Sequence, residues 1–230
     1  MLFSRIVLFA AWQALIAIAY HLSGQANAWT RSAAWWPVTA TLTNVVCIFL
    51  LIRLHKQEGL NYWDLFRFSR DTVKSDAPVA FGLALIGIVV ATIPNVMLGM
   101  WLFGNAEASQ ALIFRPLPLW AIYPALICFP ATIALAELPT YFAYVMPRLR
   151  QQLGDWPSML VSSLVLAFQH VTLPLVFDLH FLLWRLLMFI PFALMVGIVL
   201  RWRSRLLIYM VIIHGLMDFY AAWLILAASR

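Results

Sequence analysis

Charge is scarce in this sequence, and acidic charge scarcest of all. Only 10% of the 230 residues are Asp, Glu, Lys or Arg, and nine residues are acidic. With 64% hydrophobic residues and a mean hydropathy of +0.90, that scarcity excludes a soluble domain, which has no use for so much apolar surface. Cysteine is nearly missing: Cys47 and Cys128 both lie in apolar runs and form no CxxC pair. A disulfide framework and a zinc ribbon are therefore excluded, and both thiols are expected in the core. There is no glycine-rich phosphate loop, no HExxH pair, no internal repeat and no low-complexity tract. The net charge of +6 is spread over short loops rather than gathered on one face, so nucleic acid is not an expected partner.

Long apolar runs are what remain, and each needs roughly 20 residues to cross a hydrocarbon core. Seven qualify: Ile6–Leu22, Trp35–Leu54, Val79–Phe103, Leu119–Met146, Pro157–Phe177, Leu179–Leu200 and Leu206–Ala228. They predict an all-α fold, a polytopic membrane helical bundle of about seven transmembrane helices forming a single domain over residues 1–230. Lys and Arg are biased to alternate loops. Arg5, Arg53, Lys56, Arg67, Arg70, Lys74, Arg148, Arg150, Arg201, Arg203 and Arg205 fall on one side, against Arg31, Arg115 and Arg230 on the other. This positive-inside pattern predicts N-in, C-out orientation in the cytoplasmic membrane. Ala26-Asn27-Ala28 after the first run imitates a signal cleavage site, but Trp12 and Gln13 interrupt the apolar run, so a retained span is expected. Between the second and third runs, Tyr62–Phe68 mixes aromatics with charges, as an interfacial helix or an anchored loop would.

Most acidic residues sit in loops or at span ends; Glu137 and Asp218 lie deep in runs, as do His170 and His214. An ionisable group at the bilayer centre costs on the order of 3 kcal/mol or more. At 1.5 Å rise per residue, Glu137, His170 and His214 lie about 15, 20 and 14 Å from the inner ends of their runs. His214 and Asp218 are four residues apart and share a helix face. One shared site near mid-bilayer is therefore expected. A buried carboxyl and an imidazole can activate a water, while a second imidazole and carboxyl can orient substrate or an oxyanion. The ligand types of a catalytic zinc site are also present in Glu137, His170 and His214. Taken singly, each His equally suits an interhelical hydrogen bond. Arg185, two turns into the sixth run, is expected to snorkel to the outer interface.

These residues resemble the CPBP family of intramembrane peptidases (CAAX-protease and bacteriocin-processing, or Abi). Its marks are EExxxR near the end of one span, FxxxH in the next and HxxxN or HxxxD in the last. Glu137 aligns with the first glutamate, and Tyr141, Tyr144, Pro147, Arg148 and Leu149 follow in the expected places. Leu166–His170 matches the second mark, with Ser162 and Ser163 upstream, and His214–Asp218 the third. The likeness covers 119–222. It departs at Leu138 for the second glutamate, Phe142 for the arginine and Leu166 for the phenylalanine, so the arginine that would brace the first motif is missing.

The resemblance implies an intramembrane endopeptidase acting on a membrane protein or lipidated peptide. Glu137 and His170 would activate water, and His214 and Asp218 would bind the oxyanion. No cofactor is expected, with zinc as the alternative. A non-enzymatic scaffold or immunity-type binding protein is the second reading, and a proton- or ion-coupled carrier is the third. The carrier is disfavoured by the lack of paired, interrupted spans.

Overall fold

The computed structural model describes residues 1–230 and contains helices and turns, with a lone bridge between Thr172 and Leu175. In chain order the helices are α1 (Ser4–Leu22), α2 (Ala28–Ser32), α3 (Trp36–Gln57), α4 (Val73–Phe103), α5 (Ala106–Ala111) and α6 (Leu119–Leu138). They continue with α7 (Met146–Leu153), α8 (Asp155–Gln169), α9 (Leu179–Trp202) and α10 (Leu207–Ser229). Six helical segments are long and apolar enough to cross a membrane. The protein is a multi-pass membrane bundle.

The fifth expected span is the exception. Only residues 157–169 of it are helical, within α8, whose 15 residues at 1.5 Å each reach about 22 Å. Residues 170–178 then run as turns and extended chain. Pro174 cannot donate to a helical ladder, and irregular backbone at membrane depth survives only where protein satisfies it. Gln13 of α1 does this twice: its Nε2 donates to Leu175 O at 2.8 Å, and its Oε1 accepts from Leu175 N at 2.8 Å. Trp29 Nε1 also donates to Leu175 O, and Arg185 Nη2 donates to Leu173 O at 2.6 Å. Asp178 then caps α9, its Oδ1 accepting from Phe181 N at 2.8 Å.

One end of the bundle is tied by ion pairs: Arg148 to Glu58, Arg150 to Asp155, and both Arg203 and Arg205 to the buried Asp76. Tyr62 lies here, in a short 3-10 turn (Tyr62–Phe66) rather than a longer interfacial helix. Its ring is buried and its hydroxyl donates to Leu135 O. That carbonyl is the one Pro139, lacking an N–H, leaves open four residues later. Burial also pushes the Tyr62 phenol well above its ordinary range, which keeps the donor protonated. Past Pro139 the chain makes a π-helical turn, Pro139–Val145, before α7. Such turns concentrate at functional sites, and this one begins two residues after Glu137.

Two close helix approaches bring the polar residues together. A Cβ on Gly197 of α9 would collide with Ser163 Oγ and meet Met159 Sδ at 3.0 Å, so α8 and α9 pack through small residues. A Cβ on Gly215 of α10 would meet Ala134 Cβ of α6 at 3.1 Å. Gly215 is adjacent to His214, so this contact sets His214 against α6. Cys47 is buried as expected, whereas Cys128 is exposed on the outer side of α6 and not in the core.

Candidate active site

Glu137 is the centre of a buried polar cluster drawn from five helices. Its two oxygens face different ways. Oε1 lies 2.9 Å from His214 Nε2 and 4.0 Å from His170 Nε2, while His214 Nε2 lies 3.3 Å from Asp218 Oδ2. The four expected site residues are thus brought to one place. His170 Nδ1 contacts Leu166 O at 2.9 Å, which turns Nε2 towards Glu137. The His170 ring stacks on Phe189 at 3.6 Å between centroids.

The other oxygen, Oε2, accepts from Arg5 Nη2 at 3.1 Å. Arg5 is fully buried, not a loose basic residue at the inner end of the first span. Its Nε donates to Gln169 Oε1 at 2.7 Å and its Nη1 to Asn44 Oδ1 at 2.8 Å. Tyr141 donates to the same Gln169 oxygen at 3.1 Å, and Asn44 Nδ2 donates to Thr132 Oγ1 at 3.2 Å. The arginine absent at Phe142 therefore has a counterpart from outside the motif. Phe142 itself is buried among apolar residues beside Leu138 and Leu166. Arg5, Phe9, Gln13 and Ala17 form the buried stripe of α1, spaced four apart. Arg5 and Gln13 are the residues that sequence reasoning missed, and a polar residue repeating at helical spacing in an apolar run was the available signal.

Arg185 also departs from expectation. It does not snorkel but is buried, Nε donating to His170 O at 3.1 Å and Nη2 to Leu173 O. The first carbonyl caps α8, where cations are favoured, and the second lies in the turn beyond it, so bonding both holds the turn that carries His170.

Glu137 Oε1, His214 Nδ1 and Nε2, and Asp218 Oδ2 are buried without an aligned hydrogen-bond partner, despite the short His214–Glu137 separation. Buried polar atoms are seldom left so outside functional centres. A void of about 10 Å³ lies against Glu137, His170 and His214, close to the smallest space that holds one water. Beyond it, a cavity of about 230 Å³ is walled by His170, His214, Asp218, Arg185 and apolar side chains, among them Trp184 and Phe192. The ligand types for zinc are present, but no three His, Cys, Asp or Glu side chains are grouped in metal-binding geometry. Glu137 instead spends one oxygen on Arg5 and directs the other at His214.

A buried carboxylate between two imidazoles, opening on an apolar cavity within a membrane bundle, is an arrangement that can hold and polarise a water. Residues 117–220 match the family model described as type II CAAX prenyl endopeptidase Rce1-like, a match that supports assigning this segment to the CPBP, or CAAX protease, family. That family indicates a protease. Neither the comparison with curated proteins nor that with solved structures found a match. Arg5, Gln13 and Asn44 lie outside the matched segment.

Proposed function

We propose that the chain is an intramembrane endopeptidase that hydrolyses a peptide bond of a membrane-associated substrate. Water activated by Glu137 and His170 attacks the peptide carbonyl; its proton passes to the Glu137–His170 pair and from there to the leaving amine. His214, held by Asp218, donates to the oxyanion of the tetrahedral intermediate. The observation that carries this reading is the placement of Glu137 Oε1 between the two imidazole Nε2 atoms, beside a void of water size. A glutamate braced from behind by a guanidinium suits a base that must stay in one orientation.

The proposed chemistry is metal-free, because Arg5 already occupies one carboxylate oxygen and no three His, Cys, Asp or Glu side chains are grouped to hold an ion. Stoichiometric zinc in purified protein, lost with His170→Ala, would overturn that part. The deciding experiment compares new protein termini in membranes carrying wild type or Glu137→Gln at matched levels. Termini that appear only with wild type support the peptidase. Identical termini with both proteins folded would favour the non-enzymatic binding protein, a reading that rests on Leu138 and Phe142 standing at two motif positions.

A further inference from the structure

Two arginines are buried in this bundle, Arg5 and Arg185. Arg5 faces a carboxylate, whereas Arg185 has no ion-pair partner anywhere in the chain. A buried charge without a counter-charge is disfavoured unless something else compensates it. Two backbone carbonyls take two of its N–H groups, and its guanidinium lies over the Phe189 ring at 4.9 Å from the centroid, contacts that leave the charge without an anion. A guanidinium has five N–H groups, arranged in a planar fork that fits both oxygens of a carboxylate. Arg185 also lines the cavity of about 230 Å³ that His170, His214 and Asp218 border. The other charged side chain on that wall, Asp218, is already engaged with His214 at 3.3 Å. Between these groups the wall is apolar, from Trp184, Met188 and Phe189.

We propose that Arg185 is the anion-reading subsite of this cavity and binds a carboxylate of the peptide substrate, next to the hydrolytic centre. The assignment rests on the peptidase reading and narrows it to substrates carrying a carboxylate a short distance from the scissile bond. Peptides offer two sources, a free C-terminus or an Asp or Glu side chain. The cavity holds only a few side chains, and a chain end enters such a space without having to leave it again. A point charge in an apolar cavity interacts more strongly than in water, so the discrimination between an acid and its neutral isostere is large.

The test uses the full chain in detergent and an apolar pentapeptide labelled at its N-terminus. The peptide is made as the C-terminal acid, as the C-terminal amide, and as the amide with one internal glutamate. Binding is read by fluorescence anisotropy and cleavage separately by mass spectrometry. The acid, or the glutamate peptide, is expected to bind at least tenfold tighter than the plain amide, and which of the two does so names the carboxylate's source. Arg185→Gln, which keeps donors for His170 O and Leu173 O, is expected to erase the preference, and Arg185→Lys to retain part of it. Equal binding of all three peptides by wild type, or an undiminished preference in a folded Arg185→Gln protein, overturns the subsite. If Arg185→Gln does not fold, the wild-type comparison and Arg185→Lys still decide. A clear acid preference with no cleavage of any peptide leaves the subsite standing and counts against the peptidase reading instead.

Discussion

The two buried arginines sit on opposite sides of the same polar centre and are treated differently by the fold. Behind Glu137, every polar atom of Arg5 has an oxygen acceptor: a carboxylate, an asparagine and a glutamine, themselves held by Tyr141 and Thr132. On the cavity side, Arg185 touches two backbone carbonyls and no acid. The closed side is a brace that aims one oxygen of Glu137 forward and, behind that carboxylate, leaves only the Gln169 Nε2 of these side chains without a partner. The open side has atoms without aligned partners, His214 Nδ1 and Asp218 Oδ2 among them. Satisfied networks fix geometry, while unsatisfied groups on a cavity wall leave interactions to be made during binding or reaction.

The largest expected effect comes from breaking the closed side. Arg5→Met leaves the Glu137 carboxylate buried against an apolar group, and removing one member of a buried pair costs roughly 3–5 kcal/mol. The denaturation midpoint in detergent should fall accordingly, and proteolysis with it. Combining Arg5→Met with Glu137→Leu should recover most of the stability but none of the activity, giving a large coupling in the double-mutant cycle. Additive losses would mean that the pair is not the unit holding α1 to the site. Glu137→Gln alone is expected to lower cleavage by about 100-fold or more through loss of the base.

The site was legible in the sequence where its cost was legible. Glu137, His170, His214 and Asp218 stood out because each is ionisable and deep in an apolar run, and helical rise alone put three of them at one level. The fold was legible for the same reason, since long apolar runs have few other uses. The brace was not. Arg5 lies at the end of its run, where a basic residue is the commonest kind of boundary, and its helical spacing with Gln13 was the one faint sign that it is buried rather than topogenic. Gln13 looked like an interruption of α1, yet it is the partner of Leu175 across 162 residues. The missing half of the fifth span was hidden because Val171–Phe177 is apolar whether helical or not; Pro174 was its one signal.

On the open side the expected stability effects are smaller. Arg185→Gln removes charge but retains donors for the two carbonyls, so its cost should be about 1 kcal/mol, the scale of a single hydrogen bond. A loss as large as that of Arg5→Met would show that Arg185 is there to hold the 170–173 turn, and the contrast between the two arginines would collapse. Gln13→Leu lies between them. It strands the Leu175 N–H, and Trp29 alone remains for the carbonyl, which predicts about 1–3 kcal/mol. Hydrogen exchange over 171–177 should rise more than elsewhere in the bundle.

The smallest effect calibrates the others, because it involves an ion pair at the solvent-facing surface, with Glu58 exposed and Arg148 partly so. Arg148 donates to Glu58 at the basic end of the bundle and stacks on Tyr144, and its guanidinium holds the Glu58 carboxyl below the ordinary value of 4.5. A carboxyl whose pKa is depressed in the folded state binds fewer protons there than when unfolded. Its stabilisation is therefore complete above the unfolded pKa and disappears as pH falls through the lower, folded one. Glu58→Gln should consequently trail wild type slightly at neutral pH and converge with it in acid, below the ordinary carboxyl range. High salt should shrink the neutral-pH difference as well, since exposed pairs are screened. Arg5→Met should show no such salt dependence, because its pair is sealed from counterions. Equal salt sensitivity in the two variants would mean that the region behind Glu137 is wetter than its packing indicates.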